Sequence, residues 1–376
     1  MFSLHVDTAK TWRGGQNQVM LTVLGLRARG HRTAVIAHPE GELRQRLPEG
    51  LDFFPIVPRS EIDLRAAWQV SRVLRQLAPS VIHAHDAHAV AVSALGISLA
   101  GSALKTRLVA SRRVDFHIGA NLFSRWKYRQ VERFICASTC IQSMLSDDGI
   151  PANRTTVVYE GIDLERVNAA PPIDIHQEFS LPHNALVVGN VAALVPHKGQ
   201  CYLIDAAARV VRTIPEARFL VVGDGELAET LQQQIEDLNL QKHVLLTGFR
   251  ADVLSLHKEF DLFVMSSLTE GLGTSVLDAM AHERAVIATR AGGLSEAVIN
   301  GETGILVPAR NSDALADAII HLLKDSARRA QYGRSGLRRV HHIFNAERMV
   351  AETLEVYERL VDTHPARDSA YQAVVD

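Results

Sequence analysis

Residues 267–307, SLTEGLGTSVLDAMAHERAVIATRAGGLSEAVINGETGILV, decide how the rest of the chain is read. Glu270 is followed at once by Gly271, Leu272 and Gly273, and the hydroxyl pair Thr274 and Ser275 then opens an apolar helical segment over 274–281. Asp278 lies on that segment, and strands are expected at 285–289 and 304–307. A carboxylate, a glycine turn and a helix start in this order can grip hydroxyls and an anion together. The free N–H groups of a helix N-terminus suit a phosphate. The helix dipole contributes only about 0.3–1 kcal/mol, or ~2 kcal/mol when partly buried, so hydrogen bonds must supply the rest. Thr274 or Ser275 is the expected N-cap. The plain alternative is a capped helix packed on a sheet, with Glu270 a solvated loop acid. The segment alone does not separate the two.

Outward from this stretch, strands and helices alternate. Upstream lie strands 186–192, 218–222, 244–246 and 262–265, with helices 199–213 and 226–238 between them. Residues 165–184, with Pro171, Pro172 and Pro182, have linker composition. Before them a second alternation runs through strands 2–6, 33–37, 51–57, 81–85, 107–111, 134–137 and 156–159. Its first helix carries Val19, Met20, Val23 and Leu26 at helical spacing and stops at Gly30; another shows Leu64, Trp68, Leu74 and Leu77 before Pro79. The tail reads as helical at 314–323, before Phe344, and at 346–360. Two such blocks predict an α/β protein with two Rossmann-like, doubly wound parallel sheets. The expected division is a first domain 1–164, a linker 165–184 and a second domain 185–345. Residues 346–376 form a helix crossing back to the first domain plus a tail. Ligands of such sheets bind beyond the carboxyl ends of the strands, which places the site in a cleft between the domains.

Bulk properties agree and exclude other classes. A chain of 376 residues exceeds what one core usually serves. A net charge of -2 argues against a nucleic-acid partner. Cys136, Cys140 and Cys201 are too few for a disulfide framework, which fits a reducing cytosol. Cys136 and Cys140, spaced CxxxC, read as buried small apolar residues. The start, MFSLHVDTAK, reads as a strand without the regions of a signal peptide. No apolar run approaches the roughly 18 residues of a spanning helix, so any membrane contact is expected to be peripheral.

Four further segments carry candidate chemistry. In 188–199, VGNVAALVPHKG, a strand runs into a proline loop and Lys198 opens a helix, where it can neutralise a leaving diphosphate. One such contact at about 4 Å is worth roughly 4 kcal/mol at an effective dielectric near 20, before desolvation. Gly14 and Gly15 join the first strand to the first helix and let backbone approach a ligand. His83, His85, Asp86 and His88 cluster at a strand end, as metal ligands can. The pattern nearly fits the HxHxDH motif of metallo-β-lactamase-like hydrolases, but its Asp is one position early and it follows αβ units. It is therefore not read as a metal site. Residues 105–133 hold eight Lys and Arg, including Arg112, Arg113 and Lys127, with Trp126 and Tyr128 interleaved. This is either a solvated basic face or a surface for an anionic acceptor or lipid.

The runs EGLGTSVLDAMA and VIATRAGGLSEAVINGETGILVP resemble the signature of family-4 retaining glycosyltransferases with the GT-B fold. The resemblance spans nearly the whole chain and is strongest from 187 to 308. It implies two Rossmann-like domains facing across a cleft, the second binding a nucleotide-diphosphate sugar and the first the acceptor. The family's E-x7-E motif maps to Glu270, which would hold donor-sugar hydroxyls, and Asp278, which would hold the ribose with a shorter reach than Glu. Glu270 and Lys198 are the implied catalytic residues. Gly14, Gly15, Gly223, Phe249, Arg250, Gly271, Leu272, Gly273, Thr274, Ser275 and Asp278 are the implied donor-binding set, with Phe249 or Arg250 near the nucleobase. His85, Arg112, Arg113 and Lys127 fall on the acceptor side. Many relatives carry an arginine where Ala193 stands and a histidine where Arg112 and Arg113 stand; His117 is only a nearby candidate.

The implied reaction moves the sugar to an acceptor hydroxyl with retention, by front-face attack. It needs no cofactor beyond the nucleotide sugar, and no D-x-D carboxylate pair is present for a metal. The expected acceptor is an anionic glycan or lipid-linked precursor of the bacterial envelope, such as lipopolysaccharide. It would be met in the cytoplasm or at the cytoplasmic face of the inner membrane. Two alternatives remain at this stage: a nucleotide-sugar epimerase or hydrolase on the same fold, and a catalytically silent nucleotide-sugar-binding protein.

Overall fold

The computed structural model describes residues 1–114, 116–119 and 121–362 and contains two parallel sheets. The first is seven-stranded: β1 (Phe2–Asp7), β2 (Arg32–Ala37), β3 (Asp52–Pro55), β4 (Val81–Ala84), β5 (Arg107–Arg112), β6 (Arg133–Cys136) and β7 (Thr155–Val157). The second is six-stranded: β8 (Leu186–Val191), β9 (Ala217–Val222), β10 (Val244–Gly248), β11 (Leu262–Met265), β12 (Val286–Thr289) and β13 (Gly304–Val307). Their orders are β3-β2-β1-β4-β5-β6-β7 and β10-β9-β8-β11-β12-β13.

Each sheet reverses its winding once. In the first the reversal lies between β1 and β4, where Val6 stands in register with Ala84. In the second it lies between β8 and β11, where Val188 pairs with Leu262. At such a point the loops leaving two adjacent strands diverge to opposite faces and open a crevice.

The strands of the second sheet are largely apolar on both faces because both faces are covered by helices, whereas the first sheet also buries Ser3, His5 and His83. Successive side chains point to opposite sides. Ala217, Phe219 and Val221 of β9 therefore enter one core, while Leu220 and Val222 enter the other. In β11, Leu262 and Val264 join the first group and Phe263 and Met265 the second. Full burial of a side chain such as Phe263 contributes about 1.5–3 kcal/mol.

The chain passes between the two halves twice, side by side. Ile162 N–H donates to Phe344 C=O at 2.7 Å, and Ala346 N–H donates to Ile162 C=O at 3.0 Å. Gln18, on the Gly14–Ala28 helix, clamps this crossing by donating to Gly161 C=O and accepting from Gly161 N–H, both at 3.0 Å. The Ala346–Asp362 helix then lies against the Gly14–Ala28 helix, with Met349, Val350 and Tyr357 packed on Leu21 and Leu26.

Some expectations are adjusted. The segment 165–184 is more than a linker. It contains most of the Leu164–Ala169 helix and all of the Ile175–Glu178 helix, capped by Asp163 and Asp174, and it buries Val167 and Ile175 in the second half's core. The strand expected at 51–57 is only Asp52–Pro55. Cys136 is buried, its thiol pushed up to about 12 by desolvation. Cys140 is exposed instead, since the Thr139–Asp147 helix turns that position outward. No helix of the described residues is long and apolar enough to cross a membrane. Residues 363–376 of the expected helix and tail at 346–376 lie outside the described residues.

Candidate active site

Because β8 and β11 are neighbours, the loops that follow them run side by side. Leu268 N–H donates to His197 C=O at 2.7 Å, and Ser266 Oγ donates to Lys198 C=O at 3.1 Å. Lys198 does not open the α-helix. It ends the short 3-10 turn Pro196–Lys198, and Gly199 then leads into the Gln200–Thr213 helix. This geometry brings the two residues expected to be catalytic into contact. Lys198 Nζ donates to Glu270 Oε2 at 2.5 Å, and the same oxygen accepts from Ser267 Oγ at 3.0 Å. Both side chains are mostly enclosed, at 18% and 12% exposure. A ligand carrying both hydroxyls and an anion could take Glu270 for the former and Lys198 for the latter.

The Thr274–Ala281 helix follows directly. Its N-cap is Gly273, at φ +90°, with no side-chain capping bond. The expected Thr274 or Ser275 cap is therefore not formed, because a left-handed glycine makes the turn instead. The first N–H groups of the helix are left unclaimed by any cap side chain. Asp278 lies one turn further, where burial pushes its carboxyl up to about 7 against the pull of Arg166.

The opposite wall, from the first half, presents a second helix start. Gly14 begins the Gly14–Ala28 helix so close to the Thr274–Ala281 helix that a Cβ there would lie 2.7 Å from Thr274 Oγ1. Two helix N-termini thus meet across the cleft, and a side chain at position 14 would require Thr274 to shift. Gly271 is similarly constrained, since a Cβ there would lie 1.9 Å from Arg113 C=O. Gly15, in contrast, has open space around it.

Other expected residues are placed as follows. His85 is buried at the end of β4, beside Arg113. Arg112 is buried, and its guanidinium donates to Phe116 C=O, so it braces a loop. Lys127 is withdrawn from any acceptor surface. Its ammonium is buried and donates to Glu61 at 2.8 Å and to Ala87 C=O at 3.3 Å. Ser124 of the Leu122–Arg129 helix faces inward, and the residues three and four further on, Lys127 and Tyr128, share that face whatever their charge. His117 pairs with Asp148 at 2.7 Å. Gly223 N–H donates to Gly248 C=O at 2.9 Å, which draws the β9 and β10 loops together. Phe249 is 62% exposed, while Arg250 is tied to Glu178 and Asp252. Asp86 of the histidine motif caps the Ala87–Ala100 helix through Ala89 N–H at 2.8 Å and also holds Thr8, and His88 is exposed.

The sequence reading missed several residues of this cleft. Asp7, at the end of β1, accepts from Gln16 Nε2 and from Ala9 N–H, and burial with nearby Asp86 raises its carboxyl to about 6. Glu160 follows β7 and pairs with Arg113 at 3.2 Å. Burial pushes its carboxyl up to about 7, against Arg113. Glu296, from the second half, accepts from Thr139 N–H at 2.8 Å, Cys140 N–H at 2.9 Å and Tyr159 O–H at 3.0 Å, which joins the two halves. Acids just past strand ends, as in VYEGID, were the available signal for Glu160; nothing local pointed to Glu296.

Comparison with known proteins identifies the family and the fold. Residues 12–166 match the model of Glycosyltransferase Family 4, and residues 173–339 match that of Glycosyl transferases group 1. The chain is similar to the putative glycosyltransferase EpsD of Bacillus subtilis, 28% identical over 306 residues, 78% of this chain and 80% of that protein. It is also similar to the UDP-Gal:alpha-D-GlcNAc-diphosphoundecaprenol alpha-1,3-galactosyltransferase of Escherichia coli, 26% identical over 70% of this chain and 71% of that one. Its fold superposes on that of Anabaena HepE, solved in complex with UDP and glucose, with a TM-score of 0.82, 24% identity, and coverage of 96% of this chain and 100% of that one. The chain belongs to the family-4, group 1 glycosyltransferases and has their GT-B fold.

Proposed function

We propose that this protein transfers a sugar from a nucleotide-diphosphate sugar to an acceptor hydroxyl, with retention and without a metal. The observation that carries the reading is the meeting of two helix starts, Gly14 and Thr274, the second without a side-chain cap, beside the Lys198–Glu270 pair. Converging N–H groups and one cation suit a diphosphate, and the carboxylate suits sugar hydroxyls. Lys198 and the helix N-termini stabilise the leaving diphosphate as its charge grows. Glu270 holds the sugar, and Asp278 the ribose. The acceptor hydroxyl attacks from the face the diphosphate leaves, and the leaving phosphate oxygen takes its proton. The acceptor enters from the first half, past His85 and Arg113.

Uridine diphosphate sugars are the first donors to test, given the galactosyltransferase and HepE relatives. A bacterial envelope precursor, lipid-linked or otherwise anionic, is the acceptor to test. The outer face around residues 57–72 supports a contact with an anionic surface: Ile62, Leu64 and Trp68 are exposed there among Arg59, Arg65 and Arg72.

A thermal-shift panel of UDP-, GDP- and ADP-sugars tests the donor. The correct one at about a thousandfold its dissociation constant should stabilise the fold by about 4 kcal/mol. Turnover of that donor should then depend on added acceptor. Full-rate consumption without acceptor would indicate an epimerase or hydrolase, and binding without any transfer a silent protein.

A further inference from the structure

Arg113 leaves the end of β5 and Glu160 follows β7. Their side chains are only 15% and 10% exposed, with Arg113 Nε 3.2 Å from Glu160 Oε1. Arg113 Nη1 lies 3.2 Å from His85 Nδ1. A guanidinium only donates, so His85 Nδ1 accepts and the neutral ring carries its proton on Nε2. That proton faces His5 Nδ1 at 3.1 Å. His5 therefore carries its own proton on Nε2, 3.0 Å from Ser3 Oγ. Burial keeps both rings neutral, lowering His5 to about 3 and His85 well below its ordinary value. The chain Arg113 to His85 to His5 to Ser3 runs in one direction only, because its first member cannot accept. His83 is held by Tyr357 O–H at 2.5 Å and Ser111 Oγ at 2.8 Å. Every ring nitrogen of the three histidines is thus hydrogen-bonded, and a metal would have to displace those bonds. The cluster aims Arg113.

Arg113 lies at the edge of the cleft, and its partner Glu160 feels the charges of both Lys198 and Glu270 on the opposite wall. Its carbonyl rests against Gly271, next to Glu270. Its Nη2 forms no hydrogen bond among the described residues. The second wall, meanwhile, is short of positive charge. Lys198 is already paired with Glu270, and Ala193 adds none. We propose that Arg113, aimed by Glu160 and by the His85–His5–Ser3 chain, is the second cation for the donor's diphosphate, supplied from the first wall. His85 and His5 are then positioning residues. This inference rests on the donor reading above.

Glu160 sets how much of that charge is available. Arg113 and Lys198 favour its ionised form, while burial and Glu270 oppose it, leaving its carboxyl at about 7. Arrival of an anion beside it favours uptake of a proton from solvent, which leaves Arg113 uncompensated. The other groups facing the pair are His5 and Asp7 from β1, His83 and His85 from β4, and Tyr357 from the C-terminal helix. The histidines stay neutral, and burial holds the Tyr357 phenol protonated. Asp7, at about 6, and Asp278 on the opposite wall, at about 7, also titrate in this range, and Asp7→Asn and Asp278→Asn are the controls for them.

The test is calorimetric titration of UDP, with GDP and ADP in parallel, and of uridine. It compares wild type with Arg113→Met, Arg113→Lys and Glu160→Gln between pH 6 and 8. Arg113→Met should weaken UDP about 10–100-fold, the worth of one charge-assisted contact. Uridine should change less than about twofold, since it carries no phosphate. Arg113→Lys should recover part of the loss. Wild type should bind UDP more tightly as pH falls, with buffer-dependent heat showing proton uptake, and Glu160→Gln should flatten that slope. If Arg113→Met unfolds by leaving Glu160 unpaired, the double variant with Glu160→Gln replaces it. Unchanged UDP affinity without Arg113, or a slope that survives Glu160→Gln, overturns the proposal. Failure of wild type to bind any of the three diphosphates overturns the donor reading itself.

Discussion

The two walls of the cleft are built in different ways. The second wall draws on two loops, one ending at Lys198 and the other carrying Ser267, Glu270, Gly273 and Thr274 in succession. The first wall gathers Ser3, His5, Asp7, His85, Arg113, Glu160 and Tyr357 from the ends of strands and a distant helix. The second offers a partly open ion pair and free helix N–H groups, which a ligand can engage without much rearrangement. The first is a buried, hydrogen-bonded network in which Arg113 and Glu160 keep only 15% and 10% of their side chains exposed. The second wall thus supplies contacts, whereas the first supplies aim. Buried polar networks are stable only when every member is satisfied, and that condition also fixes their geometry.

This contrast can be broken by substitution. The largest effect is expected at the Lys198–Glu270 pair: Glu270→Ala should cut kcat/KM about 1000-fold, roughly 4 kcal/mol of transition-state stabilisation, with the fold intact by circular dichroism. Activity near wild type would remove Glu270 from the mechanism. Next is the seam between the walls. Gly271→Ala would place a Cβ 1.9 Å from Arg113 C=O, so the walls must part. We expect a rate loss of about 10–100-fold, as a misplacement near 1 Å can produce, and a larger radius of gyration in small-angle scattering. A variant as active and as compact as wild type would show that the walls need not touch.

A smaller effect is expected at Lys127. If it belongs to the fold, Lys127→Met should lower thermal stability without raising the acceptor KM. The loss should be about 1–3 kcal/mol, since Glu61, at 37% exposure, can be rehydrated. A raised KM with unchanged melting would return Lys127 to the acceptor surface. The smallest is a pH effect on the second wall. Asp278 is raised in the folded state, so its contribution is fully present below about pH 4 and is lost as pH climbs through about 7. Asp278→Asn should therefore gain in melting temperature relative to wild type, by a few degrees, roughly, between pH 5 and 8. The buried histidines act with the opposite sign in acid, so the measurement is the difference between the two proteins, not either curve alone. A difference that does not vary with pH would mean that Asp278 is ionised throughout.

Much of the second wall was legible in the chain. The Thr274–Ala281 helix was read with the boundaries it has, because an apolar run after a glycine turn is a local signal. Its cap was misread, because hydroxyl residues suggest capping, while the choice of Gly273 depends on a left-handed turn set by the neighbouring loop. Lys127 was misread for a related reason. A basic, aromatic stretch gives composition, but which side of the Leu122–Arg129 helix meets Glu61 depends on how that helix sits. Glu160 and Glu296 carry no motif of their own, and each matters only through a partner far away in sequence.

The sequence by itself determined the two doubly wound halves, the family and the residues of the second wall. Hydrophobic alternation, glycine turns and contiguous motifs are short-range signals, and short-range signals survive in a one-dimensional string. Only the tertiary structure decided that Lys198 pairs with Glu270, that Gly14 meets Thr274, and that Arg113 meets Glu160 and His85. Those facts depend on which strands lie adjacent at the two reversal points, and on which donors burial leaves in need of an acceptor. Both are properties of the folded chain.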